Sequence, residues 1–232
     1  IYAGNEGGLF EFDGAAWQPL HGEGSNSVGR VSALLAEPDG TLWVGTDDGL
    51  ARFDGQEFVL WDVPMPVRET SVYDLRRDPQ GVLWACTSRG VARFDGQEFV
   101  PWDVPPLLRD ATVHSFTRDP QGVLWACTGR GLARFDGRQW TLRYSPKDGL
   151  PPESSALTAA WDADGRLWVG SGSGLFRLEG ERFIEVRAFD GRSLGEVNDL
   201  LSETNGTVWI ASWDRGPFRW DGKDLRPLPA AR

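Results

Sequence analysis

A unit of 41 to 43 residues recurs along the chain, and this period constrains the fold more than any other feature. The turn dipeptide that marks each copy is Asp-Gly in five copies and Glu-Gly in one, with spacings of 41, 41, 41, 43 and 42 residues. These dipeptides are Asp13-Gly14, Asp54-Gly55, Asp95-Gly96, Asp136-Gly137, Glu179-Gly180 and Asp221-Gly222. Two copies are nearly identical, GVLWACTSRGVARFDG from Gly81 and GVLWACTGRGLARFDG from Gly122. Repetition at such a period is typical of solenoids, propellers and related arrays.

Each complete copy predicts four short strands. Alternating apolar runs are bounded by Gly, Pro, Asp and Asn, which is the pattern of strands joined by tight hairpins. In the third copy the strands are expected at 72–77, 82–87, 91–94 and 98–102. No segment has a sustained helical period. We therefore predict an all-β chain, a β-propeller of about six four-stranded blades, rather than a stacked β-solenoid, whose coils are usually shorter. The blades are expected at 1–27, 28–69, 70–110, 111–154, 155–196 and 197–232 of a single domain.

The first copy begins at its second strand, so the first blade lacks its innermost strand in this chain. A propeller normally closes when one terminus completes the blade begun by the other, and the sixth copy supplies no spare strand. We expect residues upstream of Ile1 in the natural protein, or else a ring closed over a three-stranded blade.

One tryptophan position recurs in the second strand of five copies, and Tyr2 occupies it in the first copy. Each propeller sheet lies between two neighbours, so both of its faces are apolar. Burial of each tryptophan is worth about 3 kcal/mol at most. We therefore interpret this position as core rather than as a ligand platform. The tryptophans are Trp43, Trp84, Trp125, Trp168 and Trp209.

The composition limits the classes of binding partner that we expect. The net charge of −10 and the pI near 4.7 disfavour non-specific binding to nucleic acid or to an anionic membrane. No run of apolar residues is long enough to span a bilayer. Cys86 and Cys127 occupy the same position in neighbouring copies. Equivalent points on adjacent blades should lie farther apart than the roughly 7 Å that a disulfide allows. We predict two small buried strand residues, and no cofactor or metal.

The consensus is best stated by VSALLAEPDGTLWVGTDDGLARFDG, from Val31 to Gly55. It resembles the two-component regulator propeller repeat, found in sensor regions of hybrid histidine kinases and in some stand-alone extracytoplasmic proteins. The resemblance covers essentially the whole chain and implies a propeller that senses or binds a ligand, often a saccharide, in the periplasm or outside the cell. It carries over no catalytic residue, because the repeat motif is structural.

The loops predict where a ligand would bind. The hairpins between the first and second strands share one face with the short, uniform FDG turns. We interpret turns of this kind as structural rather than ligand-binding. The opposite face carries the variable loops, which are the usual location of a binding site on a rigid frame. Arginine recurs there, and Trp213 can stack on a sugar ring. The candidate ligand-binding residues are Arg89, Arg130, Arg215 and Trp213, together with Tyr73, Asp74, His114, Asn198 and Asp199 at the starts of innermost strands. Arg68, Arg109 and Arg192 lie in the long connections of the same face.

Three classes of function remain open. The leading hypothesis is a non-catalytic, sensor-type propeller that is monomeric and binds an acidic oligosaccharide. The second is a protein-interaction scaffold or a repeat fragment whose only property is folding. The third is a calcium-dependent lactonase or lyase, for which no nucleophile or metal motif is present. The scaffold patch would comprise Met65, Pro66, Val67, Pro105, Pro106, Leu107 and Leu108. The enzyme site would comprise Asp74, His114, Glu196, Asn198 and Asp199.

Overall fold

The computed structural model describes residues 1–20, 29–60, 70–96, 99–101, 111–152 and 155–228. In these ranges the chain forms antiparallel sheets in which consecutive strands are hydrogen-bonded neighbours, one sheet of three strands followed by five of four. This confirms the all-β propeller fold and the missing innermost strand of the first blade. The chain divides into two compact units, Ile1–Asp103 and Val104–Arg232.

The first unit contains sheets 1 to 3. Sheet 1 consists of β1 (Tyr2–Asn5), β2 (Gly8–Phe12) and β3 (Trp17–Pro19). Sheet 2 consists of β4 (Val31–Ala36), β5 (Leu42–Thr46), β6 (Gly49–Phe53) and β7 (Phe58–Leu60). Sheet 3 consists of β8 (Val72–Arg77), β9 (Leu83–Thr87), β10 (Gly90–Phe94) and β11 (Phe99–Pro101). The strands predicted for the third copy therefore agree with the structure to within a residue or so.

The second unit contains sheets 4 to 6. Sheet 4 consists of β12 (Val113–Arg118), β13 (Leu124–Thr128), β14 (Gly131–Phe135) and β15 (Trp140–Tyr144), and a short 3-10 helix (Pro146–Asp148) follows it. Sheet 5 consists of β16 (Ala156–Trp161), β17 (Leu167–Ser171), β18 (Gly174–Glu179) and β19 (Arg182–Val186). Sheet 6 consists of β20 (Val197–Ser202), β21 (Val208–Ser212), β22 (Gly216–Trp220) and β23 (Leu225–Pro227).

The recurring tryptophan is anchored by an acid six residues earlier. The indole Nε1 of Trp84 donates to Oδ2 of Asp78 at 2.9 Å, and that of Trp168 donates to Oδ2 of Asp162 at 2.9 Å. The same bond recurs at the remaining three positions, at 2.9 to 3.0 Å, in the pairs Trp43–Glu37, Trp125–Asp119 and Trp209–Glu203. The acid sits in the hairpin between the first two strands of each sheet, so this bond ties the hairpin to the core and explains why these turns are uniform.

Four of the five tryptophans are buried as predicted, namely Trp43, Trp84, Trp125 and Trp168. The core prediction is wrong for Trp209, which is only partly buried. It lies in the last sheet of its unit, and the residue found over its ring is Arg219 of its own sheet, with Cζ 5.8 Å from the ring centroid. Cys86 and Cys127 are both buried, as expected.

Candidate functional site

The loop after the second strand has one construction throughout the described sheets 2 to 5. The hydroxyl that ends the strand donates to the carbonyl of the glycine three residues later, as Thr87 does to Gly90 at 3.0 Å and Thr128 to Gly131 at 2.9 Å. It also accepts the backbone N–H of the residue between them, which is Arg89 in sheet 3 and Arg130 in sheet 4, each at 3.1 Å. Both arginine side chains are exposed. The loop backbone therefore stays the same whatever side chain it presents.

Arg215 does not share this position, contrary to the sequence interpretation. The loop of sheet 6 is one residue longer, so the N–H of Arg215 reaches the Ser212 hydroxyl from three residues away rather than two. Its guanidinium is already paired, with Nη2 at 2.6 Å and Nη1 at 3.4 Å from the two carboxylate oxygens of Asp190. Nη1 also donates to the carbonyl of Ser193 at 3.2 Å. This pairing lowers the pKa of Asp190 below its ordinary value. The side chain of Arg215 therefore links the loop of sheet 6 to the connection that contains Asp190 and Ser193, and its guanidinium is already paired.

Trp213 lies in the same longer loop. Its backbone N–H donates to the carbonyl of Glu196 at 2.8 Å, and its side chain is 78% exposed. The ring is therefore accessible for stacking, as the stacking hypothesis requires. Whether a ligand uses it stays a prediction.

The candidates at the starts of innermost strands share a structural feature that sequence reasoning missed. Each innermost strand has a β-bulge at its second residue, and Tyr73, His114 and Asn198 are the bulged residues of sheets 3, 4 and 6. The carboxylates that follow bind locally, since Oδ1 of Asp74 accepts the N–H of Leu75 at 2.8 Å and Oδ1 of Asp199 that of Leu200 at 2.8 Å. Bulges redirect side chains and often occur beside binding sites.

His114 gives the bulge of sheet 4 a dependence on pH. Burial lowers the pKa of its imidazole from the ordinary 6.5. Below about pH 6.5 the unfolded chain then binds more protons than the folded chain, so the free energy of unfolding should fall as pH drops through this range. We expect His114→Gln to flatten that fall, measured by urea denaturation at about pH 7.5 and 5.5. An equally steep fall in the variant would contradict the assignment.

The described residues of the second unit enclose a pocket of about 390 Å³ on the variable-loop face. It lies between the short loop of sheet 4 and the connection that leads from sheet 4 to sheet 5. Its walls are mostly apolar, and its two cationic side chains are Arg130 and Lys147. The lining is Gly129, Arg130, Gly131, Leu142, Ser145, Pro146, Lys147, Leu150, Pro151, Pro152, Ala156 and Ser171.

The corresponding groove between sheets 5 and 6 is closed by its own connection. Oγ of Ser193 donates to the carbonyl of Ser173 at 3.0 Å, and Leu194 is fully buried there. The Leu194 carbonyl accepts from the hydroxyl of Ser212 at 2.7 Å. In the open groove the equivalent hydroxyl, Ser171, bonds instead to Gly174 of its own loop at 3.1 Å. The connection 145–152, with its three prolines, therefore leaves a space that the connection 187–195 fills.

A small residue at the start of an innermost strand lines the pocket. Sheets 2, 3, 4 and 6 begin that strand with valine, whereas sheet 5 has Ala156. In three places where consecutive sheets belong to the same unit, this valine packs against a glycine of the sheet before it. The pairs are Gly4–Val31, Gly45–Val72 and Gly170–Val197. Between sheets 4 and 5, Cys127 and Ala156 take these places within one buried cluster. The alanine in place of valine is visible in the sequence. That it lines a pocket follows only from how the neighbouring sheet packs against it.

The charge of the pocket is positive. Among the described residues, neither Arg130 nor Lys147 has an ion-pair partner within salt-bridge distance. The nearby carboxylate of Asp148 accepts the N–H of Ser145 at 2.8 Å and its hydroxyl at 3.2 Å, as the cap of the 3-10 helix. An arginine beside apolar walls can bind a carboxylate or sulfate in two parallel hydrogen bonds while the walls pack against the rest of the ligand.

Arg68, Arg109 and the patch formed by Met65, Pro66, Val67, Pro105, Pro106, Leu107 and Leu108 lie outside the described residues. Arg192 is exposed. In the ranges that the structure describes, no group of three or more His, Cys, Asp or Glu side chains is arranged to hold a metal ion. No helix in the same ranges is long and apolar enough to cross a membrane.

Part of the sequence and the fold of this chain are similar to those of known proteins. Residues 25–48 match the two component regulator propeller family. The match spans one copy of the repeat, and this part of the chain is similar to that family. A search of curated protein sequences found no match. Among solved structures, the repeat chain is similar to the extracellular domain of a protein assigned to a hybrid two component system of B. thetaiotaomicron, with a TM-score of 0.70 and 26% identity over 83% of this chain and 28% of that one.

Two further structures share the fold of the repeat chain. The extracellular domain of a protein assigned to a one component system of B. thetaiotaomicron has a TM-score of 0.67 and 16% identity, over 99% of this chain and 37% of that one. Virginiamycin B lyase from Staphylococcus aureus has a TM-score of 0.74 and 15% identity, over 98% of this chain and 78% of that one. At these identities the likeness shows the fold alone. The chain spans about a third of the length of the two extracellular domains from B. thetaiotaomicron. Together with the family match, they support the propeller fold.

Proposed function

We propose that this propeller is a non-catalytic, ligand-binding domain of the sensor type, and that its ligand is an acidic oligosaccharide bound at the pocket around Arg130. The observation that carries the proposal is a cation without an ion-pair partner among the described residues, placed on the wall of a mostly apolar pocket in a protein of net charge −10. Such a cation is best satisfied by an anion brought by the ligand.

The size and walls of the pocket favour the end of a sugar chain. Its volume of about 390 Å³ lies toward the lower end of the range of small-molecule pockets, which suits a terminal unit rather than a long stretch. Pro146, Pro151 and Pro152 offer stiff apolar surface to the C–H faces of a sugar ring. Lys147 adds a second, more flexible cation that can meet another acidic group.

Arg130→Ser tests this proposal with little risk to the fold. Sheet 5 carries serine at the equivalent loop position, where the N–H of Ser173 binds the Ser171 hydroxyl at 3.2 Å, so the loop tolerates the change. The probe is a short oligogalacturonate, with its neutral methyl ester as the control ligand. We expect calorimetry to show binding of the acid only, weakened roughly tenfold to a hundredfold in Arg130→Ser because one charge-assisted pair is lost.

Arg89→Ser is the matched control variant. Arg89 occupies the equivalent loop position in sheet 3 and does not line the described pocket, so its removal should leave the affinity within about twofold. Both variants should keep the melting temperature of the parent. Equal affinity in the parent and Arg130→Ser would exclude the pocket as the acid site. Equal binding of the acid and its ester would exclude an acidic ligand but leave a neutral saccharide possible.

A further inference from the structure

The hydroxyl groups on the wall of the pocket between sheets 4 and 5 are already engaged within the protein. Oγ of Ser145 donates to Oδ2 of Asp148 at 3.2 Å. Oγ of Ser171 donates to the carbonyl of Gly174 at 3.1 Å and accepts the N–H of Ser173 at 3.2 Å. These are the two hydroxyls among the described residues that line the pocket. A sugar hydroxyl that enters the pocket therefore has to compete with bonds that the protein already makes.

Backbone donors of the wall are engaged as well. The N–H of Gly129 donates to the carbonyl of Thr112 at 2.9 Å, and that of Arg130 donates to the Thr128 hydroxyl at 3.1 Å. The connection from sheet 4 to sheet 5 adds three prolines to the wall, and proline has no N–H. They are Pro146, Pro151 and Pro152. What the wall offers a polar ligand is therefore chiefly the charge of its two cationic side chains.

The apolar part of the wall includes two leucines. Leu142 is half-buried on β15, and Leu150 is buried in the cluster formed by sheets 4 and 5. An unmodified sugar ring carries several hydroxyls, and a hydroxyl buried in such surroundings without a partner is costly. An acyl ester replaces one of these hydroxyl donors and adds an apolar group that the leucines can cover. The wall therefore suits an acylated ring better than an unmodified one.

We propose that the acidic sugar unit that enters this pocket carries an acyl ester, of which acetyl is the smallest. This inference rests on the proposed function, since Arg130 binds the carboxylate of the same unit. The acyl group packs against the apolar wall that Leu142 and Leu150 provide. Its ester carbonyl accepts hydrogen bonds only, and Lys147 is a flexible donor on the same wall. The pocket thus selects an acylated acidic saccharide over the unsubstituted one.

Two oligogalacturonates of equal length, one acetylated on its ring hydroxyls and one unsubstituted, test the inference by calorimetry. Both keep free carboxylates, so their charge is the same. We expect the parent chain to bind the acetylated ligand roughly fivefold to twentyfold more tightly. Leu142→Ser removes apolar surface from the wall and adds a hydroxyl, so it should reduce this preference to within about twofold.

Ile184→Ser is the matched control variant. Ile184 is 49% exposed on β19 and is not among the residues that line the pocket, so this variant should keep the preference of the parent. Pro152→Ser makes a similar change at an exposed position of the wall and replaces Leu142→Ser if that variant does not fold. Circular dichroism and melting temperature verify the folding of each variant.

The outcomes separate this inference from the proposed function. Equal affinity for the two ligands, or tighter binding of the unsubstituted one, would overturn the acyl preference, and the loss of affinity in Arg130→Ser would still support the acid site. A preference that persists in both Leu142→Ser and Pro152→Ser would place the acyl group outside this pocket and would also contradict the inference. If the parent binds neither ligand, the inference and the proposed function both fail.

Discussion

Trp168→Ala should lower the free energy of unfolding of the second unit by about 3–5 kcal/mol, a large part of the 5–15 kcal/mol typical of a domain. Trp168 is fully buried, contacts Trp220 and lies under the guanidinium of Arg177, with Cζ 5.2 Å from its ring. Its removal leaves a cavity between two sheets. It also removes the indole N–H from Asp162, a buried carboxylate that keeps only backbone donors and Arg166.

Two further substitutions separate the causes of this loss. Trp209→Ala removes the same side chain from the partly buried position, so it should cost only about 1–2 kcal/mol. Trp168→Phe keeps most of the packing but loses the donor to Asp162, and should cost about 1–3 kcal/mol. Urea denaturation followed by circular dichroism measures all three. Equal losses for Trp168→Ala and Trp209→Ala would contradict the difference in burial.

Gly131→Ala should cost about 3–5 kcal/mol, because two penalties combine at this position. The backbone φ of Gly131 is +124°, which alanine rarely adopts. A Cβ at this position would also lie 2.1 Å from the carbonyl oxygen of Tyr144 and 3.1 Å from Cα of Ser145. These are backbone atoms at the start of the pocket-lining connection, so they cannot move aside without displacing it. Binding at the pocket should therefore weaken together with stability.

Gly90→Ala is the matched control for the second penalty. Gly90 has nearly the same φ, +118°, at the same loop position of sheet 3, but among the described residues no atom lies within 4 Å of a Cβ built there. It should lose only the conformational term, about 1–2 kcal/mol. Urea denaturation of the two variants gives the difference directly. A loss as large in Gly90→Ala would show that the contact with Tyr144 does not matter.

Local patterns predicted most of the fold. The Asp-Gly turns and the alternation of apolar residues act over a few residues, so they placed the four strands of sheet 3 to within a residue or so. They also predicted the three strands of sheet 1 and the burial of Cys86 and Cys127. The family resemblance rested on the same repeated residues and was confirmed by the match over residues 25–48.

The candidate site could be predicted only in part. The variable-loop face and Arg130 were identified from the sequence, because loop length and residue type differ from copy to copy. Lys147 and the proline walls were not, since the pocket depends on how the connection 145–152 packs over sheet 5. Arg215 looked equivalent to Arg130 until its pairing with Asp190, 25 residues away, became visible.

The sequence by itself determined the repeat, the number and order of strands, and the face that carries variable loops, because each follows from interactions between residues close together in the chain. The tertiary structure alone decided which equivalent positions differ in their surroundings. Trp168 and Trp209 occupy the same place in two copies, yet Trp168 is fully buried against Trp220 of the next sheet whereas Trp209 is only partly buried. Gly131 and Gly90 share a φ above +115°, yet among the described residues a backbone carbonyl faces Gly131 and none faces Gly90. A repeat specifies its own sheet, but burial depends on the neighbour against which that sheet packs.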